Sequence, residues 1–193
     1  MGEVNYCIYC LGRTGGEDIC PHCGKDRKEY TILSGRYLIG IALGEGGFGI
    51  TYIARDLNLD MIVAVKEYYP FGYVNRNHTY SDAVSVSGML PRGEYEKGIA
   101  KLMEEARTLA KLSGMKGIVG VRDFFLYNNT AYIVMDYLKG CTLKDYLKMN
   151  GKLSFEQTVR ILNPIAGALA EVHKTGLIHR DISPDNIMIM KNG

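Results

Sequence analysis

The sequence has no long apolar run and little net charge, and both absences narrow the class of protein. No stretch of the 193 residues approaches the ~20 apolar residues that a membrane-spanning helix needs. The N-terminus lacks the basic and then apolar pattern of a secretory signal peptide. A formal net charge of +2 argues against a nucleic-acid binder or a protein held on an anionic membrane. We therefore expect no membrane segment, no nucleic-acid partner and a cytoplasmic location, with an anchor after residue 193 left open.

Internal repeats and low-complexity tracts are also absent, and the cysteines are few and unevenly placed. Apolar residues make up 47% of the chain, enough for a packed core in one or two domains at this length. All of the cysteines except Cys141 lie near the N-terminus. Such clustering favours a local metal site over a disulfide framework spread along the chain.

Two C-x-x-C pairs near the N-terminus predict a zinc ribbon. Cys7 pairs with Cys10 and Cys20 with Cys23, which places four thiolates around one tetrahedral ion. Two disulfides or an iron site of the rubredoxin type are the alternatives, and the missing signal peptide disfavours the disulfides. We expect His22, which lies inside the second pair, to be a spectator. Because so short a segment buries little core, the ion would supply its folding energy.

The charge of the ribbon limits its role. Basic and acidic side chains are nearly balanced over residues 1–33, and four thiolates on Zn²⁺ add negative charge. Such a module binds phosphates poorly. We assign residues 1–33 to the ribbon and its linker, with protein docking or a structural cap as the expected role.

From Tyr37 the sequence alternates between strand-like and helical patterns. We predict strands at 37–43, 50–55, 61–66, 121–127 and 131–136, and helices at 94–113, 142–149 and 154–174. Residues 67–93 form a long connection without a clear period. Ser154 and Gln157 predict a capping box for the last helix. This order of elements predicts an α+β fold of two lobes and not a doubly wound βαβ sheet.

A glycine-rich loop joins the first two strand-like runs. Residues 44–49 read Gly-Glu-Gly-Gly-Phe-Gly and match G-x-G-x-x-G, which dinucleotide-binding proteins share. A Rossmann loop leads into a helix, whereas residues 50–52 continue as a strand. We therefore predict a flap whose backbone N–H groups approach nucleotide phosphates with no Cβ in the way.

A lysine and a glutamate are predicted to meet beside this loop. Residues 63–66 read Val-Ala-Val-Lys, and a lysine that ends an apolar strand can reach the phosphates. Glu105 shares a helical face with Leu102, where a carboxylate needs a cationic partner. We predict a Lys66–Glu105 ion pair. The alternative is a rotated helix in which Glu104 points inward.

The last motif carries a resemblance to a known family. Residues 179–186 read His-Arg-Asp-Ile-Ser-Pro-Asp-Asn and match H-R-D-x-x-x-x-N. With these four ordered motifs, residues 35–193 resemble bacterial protein Ser/Thr kinases of the eukaryotic-like (Hanks) type. The ribbon together with Gly-Arg-Tyr-Leu-Ile-Gly at 35–40 resembles a bacterial subgroup that carries both. The resemblance implies a protein-kinase-like fold, with the N-lobe and hinge at 34–138 and a partial C-lobe at 139–193.

The resemblance also implies roles for single residues. Asp181 would accept or orient the substrate hydroxyl, Asn186 would hold Mg²⁺, and Lys66 with Glu105 would complete the catalytic set. The residues implied to contact ATP are Gly44, Gly46, Gly47, Phe48, Gly49, Thr51, Ala64, Lys66, Met135, Asp136, Leu138 and Asn186. The implied cofactors are ATP and Mg²⁺, with Mn²⁺ as a substitute, beside the Zn²⁺ of the ribbon. The implied partners are proteins that present Ser or Thr hydroxyls, together with any protein that docks on the ribbon.

The chain departs from the family pattern at three places. Thr51 stands where a valine is usual beneath the adenine, a mild change. Ser183 stands where a lysine is usual near the transferred phosphate, which removes one cation from the transition state. The D-F-G and A-P-E motifs do not occur in residues 1–193, so we expect this segment to stop before the catalytic domain is complete and to be inactive alone.

Transfer of the ATP γ-phosphate to Ser or Thr hydroxyls of proteins is the leading hypothesis for the full-length protein. An ATP-binding pseudokinase or scaffold, whose ribbon recruits a partner, is the alternative. A third hypothesis makes the chain an adaptor that acts through the ribbon alone. A D-F-G motif in the sequence that follows would favour the enzyme, and its loss would favour the scaffold.

Overall fold

The computed structural model describes residues 5–26, 28–47, 49–77, 81–91 and 93–190. The chain forms two compact units. The first comprises Met1–Ala110 and Val121–Tyr137, and the second comprises Lys111–Gly120 and Leu138–Gly193.

The first unit contains a six-stranded antiparallel sheet, a helix and two short hairpins. Its elements are β1 (Asn5–Tyr6), β2 (Arg13–Thr14), β3 (Ile32–Leu33), β4 (Tyr37–Gly46), β5 (Gly49–Asp56), β6 (Met61–Tyr68), β7 (Val74–Arg76), β8 (Val84–Val86), α1 (Glu94–Lys111), β9 (Val121–Tyr127) and β10 (Thr130–Asp136). The sheet has the order β3-β4-β5-β6-β10-β9. The pairs β1–β2 and β7–β8 form separate two-stranded sheets.

The sheet buries a different core on each face because side chains alternate along a strand. Val63 and Val65 of β6 lie on one face with Tyr132. Ala131 and Ile133 of β10 lie on the other face, where the helix α1 packs. The buried residues of that second core are Leu102, Ala106, Ala131 and Ile133. Each fully buried aliphatic side chain contributes roughly 1.5–3 kcal/mol to folding.

Residues 67–93 contain a hairpin that the sequence pattern did not indicate. The strands β7 and β8 are three residues each, with Val74 paired to Val86 and Arg76 to Val84. Val74, Val84 and Tyr95 are buried together in a small core. Because each strand contributes one buried valine, the run is too short to show a period of two.

The second unit contains β11 (Gly140–Thr142), α2 (Leu143–Asn150), α3 (Phe155–Lys174) and β12 (Met188–Met190). The predicted capping box is present at the start of α3, where Ser154 and Gln157 exchange side-chain-to-backbone hydrogen bonds. The helix continues through Pro164. Val172 is buried, whereas Phe155 and Leu162 are exposed.

The predicted α+β class is confirmed, and the long elements lie close to their predicted bounds. Sheet pairing extends β4, β5 and β6 by one to three residues beyond the apolar runs that predicted them. None of the helices in the described ranges combines the length and apolarity that a membrane span requires.

Candidate nucleotide site and metal centre

The glycine-rich loop is the tip of the β4–β5 hairpin. Gly44 pairs with Thr51 and Gly46 with Gly49. A Cβ added at Gly44, Gly46 or Gly47 would meet no atom within 4 Å, so the described part of the loop presents an open, exposed backbone. Backbone N–H groups without neighbouring side chains are suited to contact phosphates. Phe48, which the sequence also assigns to ATP, lies outside the described residues.

Gly49 differs from the other glycines of the loop. A Cβ at this position would overlap the backbone carbonyl of Glu67 on the neighbouring strand β6. Glycine is therefore required here for the close approach of two strands and not for room beside a ligand.

Lys66 and Glu105 lie close together in the first unit. Lys66 is on β6, opposite Thr51 of β5 and Ile133 of β10, and Glu105 is on α1. The Lys66 Nζ atom lies 3.8 Å from Glu105 Oε1, with 36% and 50% of the two side chains exposed. The predicted contact is present, but Glu105 is half-exposed and not buried with Leu102. A partly exposed pair of this length can open and close at low cost.

Of the residues implied to surround adenine, Ala64 lies in the middle of β6, and Met135 and Asp136 end β10. Ala64 is buried and lies opposite Met135 in the antiparallel register of these strands. The Asp136 carboxylate accepts a hydrogen bond from Arg122 Nε at 2.6 Å. The side chain of Asp136 is thus engaged by Arg122, and Asp136 lies opposite Val63 in the same register. Leu138 belongs to the second unit.

Asp181 and Asn186 meet in the second unit. Asn186 Nδ2 donates to Asp181 Oδ2 at 2.8 Å and to the Asp181 backbone oxygen at 3.0 Å. Arg180 has a φ of 64°, a left-handed conformation that is strained for a residue other than glycine. Strain of this kind persists where neighbouring contacts hold the backbone, and the two Asn186 bonds are such contacts.

The same loop is tied to the first residues of α2. Leu143 N donates to the Ile187 oxygen at 2.7 Å, and Lys144 Nζ lies 2.8 Å from Asp185 Oδ1. The Asn186 N–H donates to the backbone oxygen of Ser183 at 3.0 Å and closes a turn. Ser183 therefore closes the turn through its backbone oxygen, and the turn sets the position of its side chain.

The four N-terminal cysteines converge on one point. Their Sγ atoms all lie within 4.8 Å of one another, and none of the described cysteines forms a disulfide. The Sγ atoms of Cys7 and Cys23 are 3.6 Å apart, and those of Cys10 and Cys20 are 3.7 Å apart. A tetrahedral site with Zn–S bonds of about 2.3 Å has sulfur atoms about 3.8 Å apart. The donor set thus fits a zinc ion, and two of its sulfur pairs already have the spacing of a tetrahedral site.

Two matching turns present the cysteines. Leu11 N donates to the Cys7 oxygen and Gly24 N to the Cys20 oxygen, both at 2.8 Å. Leu11 and Gly24 have φ values of 56° and 69°, which allow each turn to close behind its cysteine pair. His22 Nε2 lies 2.8 Å from the Arg13 oxygen, so its ring is held by the ribbon backbone.

The thiols of the cluster are in unequal environments without a metal. Desolvation raises the pKa of Cys10 to about 12. Desolvation also acts on Cys20, but hydrogen bonds from the His22 and Cys23 amides outweigh it and lower the pKa of Cys20 to about 6. Since thiolates are the ligands, binding of an ion would release protons from the remaining thiols.

The ribbon is packed on the sheet of the first unit. Ile41 N of β4 donates to the Ile8 oxygen at 3.1 Å, and a Cβ on Gly40 would lie 2.7 Å from that same oxygen. Tyr6 and Leu11 are buried in a core with Leu38. These contacts favour the structural-cap interpretation over a freely tethered docking module.

The sequence patterns did not single out three residues that the structure places in close contacts: Glu67, Arg76 and Gly98. Glu67 is buried beside Lys66 and accepts hydrogen bonds from Tyr52 and Tyr132, and Arg76 pairs with it. Glu67 continues the buried face of Val63 and Val65 with a period of two, which indicates a partner for its carboxylate. Arg76 and Gly98 stand in patterns that carry no such indication.

The relatives of this chain are protein kinases. Residues 37–193 match the protein kinase domain. A probable serine/threonine-protein kinase of Clostridium acetobutylicum is 36% identical over 82% of this chain and 21% of its own length. The serine/threonine-protein kinase PrkC of Bacillus subtilis is 34% identical over 81% of this chain and 21% of its own length. The chain thus spans about a fifth of the length of these two relatives.

Two solved structures resemble this chain in fold. The apo form of PpkA-294 is 35% identical, with a TM-score of 0.74 over 81% of this chain and 55% of that one. The PknI kinase domain of Mycobacterium tuberculosis, 22% identical with a TM-score of 0.61 over 83% of this chain and 56% of its own, shares the fold. The family uses ATP and Mg²⁺ and acts on protein hydroxyls. The chain therefore belongs to the protein kinase domain family.

Proposed function

We propose that the full-length protein transfers the γ-phosphate of ATP to Ser or Thr hydroxyls of proteins. The observation that carries this proposal is the approach of Lys66 Nζ to Glu105 Oε1, at 3.8 Å. A lysine held by a helix glutamate is placed to bind the α- and β-phosphates, and both members are needed for phosphoryl transfer in protein kinases. The open backbone of Gly44, Gly46 and Gly47 supports a phosphate contact beside this pair.

The catalytic loop takes the remaining roles. Asp181 orients the attacking hydroxyl, and Asn186 binds Mg²⁺ through its amide oxygen. The Asn186 amide nitrogen already donates to Asp181, which turns its oxygen away from that carboxylate. Mg²⁺ binds oxygen ligands, so this orientation supports Asn186 as a ligand. The adenine roles of Thr51, Ala64, Met135, Asp136 and Leu138 follow the family pattern and stay predictions, as does a cytoplasmic location.

The N-terminal cluster binds Zn²⁺ in this proposal. Sulfur–sulfur distances of 3.6 and 3.7 Å support a tetrahedral thiolate site. The ribbon then serves as a cap on the kinase sheet. Any protein that docks on it would use the surface opposite Tyr6 and Leu11, which are buried against the sheet.

The proposal is tested with the full-length protein, [γ-³²P]ATP and a generic Ser/Thr protein substrate. Lys66→Met should lower kcat by about a hundredfold or more, since phosphoryl transfer depends on positioning and charge neutralisation. Lys97→Met is the matched control, because Lys97 is an exposed lysine of the same unit that pairs with Glu94. Equal activity of the Lys66→Met variant and the wild type would refute the assignment.

A scaffold that binds ATP without transfer is the second candidate, and Ser183 favours it by removing a cation from the loop. Isothermal titration with ATP and Mg²⁺, run beside the transfer assay, separates the two. Binding without turnover supports the scaffold. Binding with turnover that rises in a Ser183→Lys variant supports an enzyme slowed by this substitution.

A further inference from the structure

The segment between β6 and α1 carries an ion pair that is buried from solvent. Arg76 of β7 forms an ion pair with Glu67 of β6, with 13% and 1% of the two side chains exposed. Tyr132 OH donates to Glu67 Oε1 at 2.6 Å, and Tyr52 OH donates to Oε2 at 3.1 Å. We call these four residues the Glu67 cluster. A buried carboxylate with three donors is fully satisfied and fixed in place.

Electrostatics and packing both hold Arg76 in this position. Desolvation opposes its charge, but Glu67 outweighs that effect and raises the pKa of Arg76 above its ordinary value. Its guanidinium also lies over the ring of Tyr69, 5.5 Å from the centroid. The β7 strand is therefore pinned to the end of β6, one residue from Lys66.

The other end of the segment is packed against α1. Val74 and Val84 of the β7–β8 hairpin are buried with Tyr95, in the first turn of α1. Tyr95 OH donates to the Asn129 oxygen at 3.0 Å, and Val84 N donates to the Asn128 oxygen at 2.8 Å. The hairpin thus joins the end of β6, the start of α1 and the β9–β10 turn in one small core.

This arrangement bears on the Lys66–Glu105 pair. Glu67 and Lys66 are adjacent and point to opposite faces of the sheet, so the cluster fixes the strand from the face that α1 does not cover. Glu105 lies about 15 Å along α1 from Tyr95, at 1.5 Å per residue. A helix packed only near Leu102 and Ala106 could tilt relative to the sheet. A second packing contact at Tyr95 fixes the direction of the helix axis.

We propose that Arg76 and Glu67 are positioning residues, through which the 67–93 segment holds α1 so that Glu105 stays beside Lys66. The expected effect on kcat rests on the proposed function. The expected effect on the position of α1 rests on the geometry alone. The contacts that hold α1 in this way all come from the same chain, so they do not depend on another protein.

A double-mutant cycle in the full-length protein tests the proposal. The variant Arg76→Met/Glu67→Gln removes the ion pair without leaving a buried charge, and the glutamine amide can still accept from one of the hydroxyls of Tyr52 and Tyr132 and donate to the other. It should lower kcat by about tenfold with a smaller change in KM for ATP, because transition-state positioning is lost. In a Glu105→Gln background the same double substitution should lower kcat by less than about twofold. An equal loss in both backgrounds would overturn the proposal.

Two further variants separate positioning from stability. Arg76→Lys keeps a cation beside Glu67 but loses the second hydrogen bond to the carboxylate and the stacking on Tyr69, so kcat should fall by less than in Arg76→Met/Glu67→Gln but below the wild-type value. Arg36→Met/Asp56→Asn removes a different ion pair, between the residue before β4 and the last residue of β5, and should lower the unfolding temperature while leaving kcat of the folded protein unchanged. If this control lowers kcat as much as Arg76→Met/Glu67→Gln does, loss of stability accounts for both and the positioning role is wrong.

Hydrogen exchange gives a readout that needs no activity. In Arg76→Met/Glu67→Gln, amides of residues 95–106 should exchange about tenfold faster than in the wild type, because helices open locally where packing is lost. Unchanged exchange there would overturn the proposal. If the wild-type protein transfers no phosphate, the proposed function fails. The exchange measurement still decides whether Arg76 and Glu67 hold α1 in place.

Discussion

Arg55 of β5 donates a hydrogen bond from Nη1 to the backbone oxygen of Leu11, at 3.1 Å. Its guanidinium also pairs with Asp60 at 2.6 Å and lies over the ring of Tyr6, 5.9 Å from the centroid. One arginine thus joins the first cysteine turn to a strand of the kinase sheet. Because Leu11 keeps its position through the Cys7 turn, the order of the ribbon and the order of the sheet are coupled.

We therefore predict that loss of the metal lowers the stability of the sheet. Purified protein should carry about one zinc ion per chain, and Cys20→Ser should lose it. The unfolding temperature of the first unit should then fall by several degrees, since structural zinc contributes folding energy. Metal analysis and calorimetry provide the measurements.

Cys141→Ser is the matched control for this prediction, because Cys141 lies outside the cluster and its loss should leave the zinc content unchanged. A metal-free Cys20→Ser protein that unfolds at the wild-type temperature would show that the ribbon and the sheet are independent.

Local patterns indicate the candidate site residues more readily than the residues that support them. The glycine loop, Lys66 and the paired cysteines depend on residue types at short fixed spacings, and those spacings are visible in the sequence. Glu105 was placed on the right helix face, but its carboxylate is half-exposed, so burial was not the reason for the pair. Helical periodicity gives a direction and not the depth at which a helix packs.

The Glu67–Arg76 pair shows what the sequence could not supply. Glu67 on a buried strand face indicated the need for a partner, yet the partner lies in a stretch without a period. Its identity depends on the path of the 67–93 segment, which is set by tertiary contacts of Val74 and Val84. Likewise, no residue pattern indicated that Gly40 is required by the approach of the Ile8 oxygen.

The Arg36–Asp56 pair, in which the carboxylate is buried, predicts an acid-dependent part of the stability. Arg36 Nη2 lies 2.7 Å from Asp56 Oδ2, and the amides of Asn58 and Leu59 donate to Oδ1. Desolvation raises the pKa of Asp56, but Arg36 and these amides outweigh it and hold the pKa below its ordinary value of 3.8. A lowered folded-state pKa stabilises the fold above pH 3.8, and the effect is lost as the pH falls through the folded-state value.

Asp56→Asn should accordingly lower the free energy of unfolding by about 2 kcal/mol at pH 7, because Arg36 and the two amides lose a charged acceptor. The difference from the wild type should be constant down to about pH 4 and should shrink below it. Urea unfolding at several pH values measures it. Asp60→Asn is the control: its carboxylate is 57% exposed, so solvent screens the pair and the change should be much smaller. A difference that grows as the pH falls would contradict the assignment.

The last prediction concerns the approach of α1 to β6. Gly98 of α1 lies against Tyr68, and a Cβ at Gly98 would overlap the Tyr68 hydroxyl. Gly98→Ala would normally gain about 1 kcal/mol from helix propensity. Here the overlap should outweigh that gain, and we expect a net loss of about 1–3 kcal/mol. Either the Tyr68 ring or α1 must shift, and where α1 shifts away from the sheet the Lys66–Glu105 contact should also weaken.

Two comparisons make the Gly98 prediction specific, with urea unfolding as the measurement. Tyr68→Phe removes the nearest overlapping atom, so Gly98→Ala/Tyr68→Phe should recover part of the stability that Gly98→Ala loses. Gly167→Ala in α3 has no atom within 4 Å of the new Cβ and should raise stability by about 0.5–1 kcal/mol. If Gly98→Ala stabilises the protein as Gly167→Ala does, α1 can take a Cβ at this position without moving. The close packing between Gly98 and Tyr68 would then not be what sets the distance between α1 and β6.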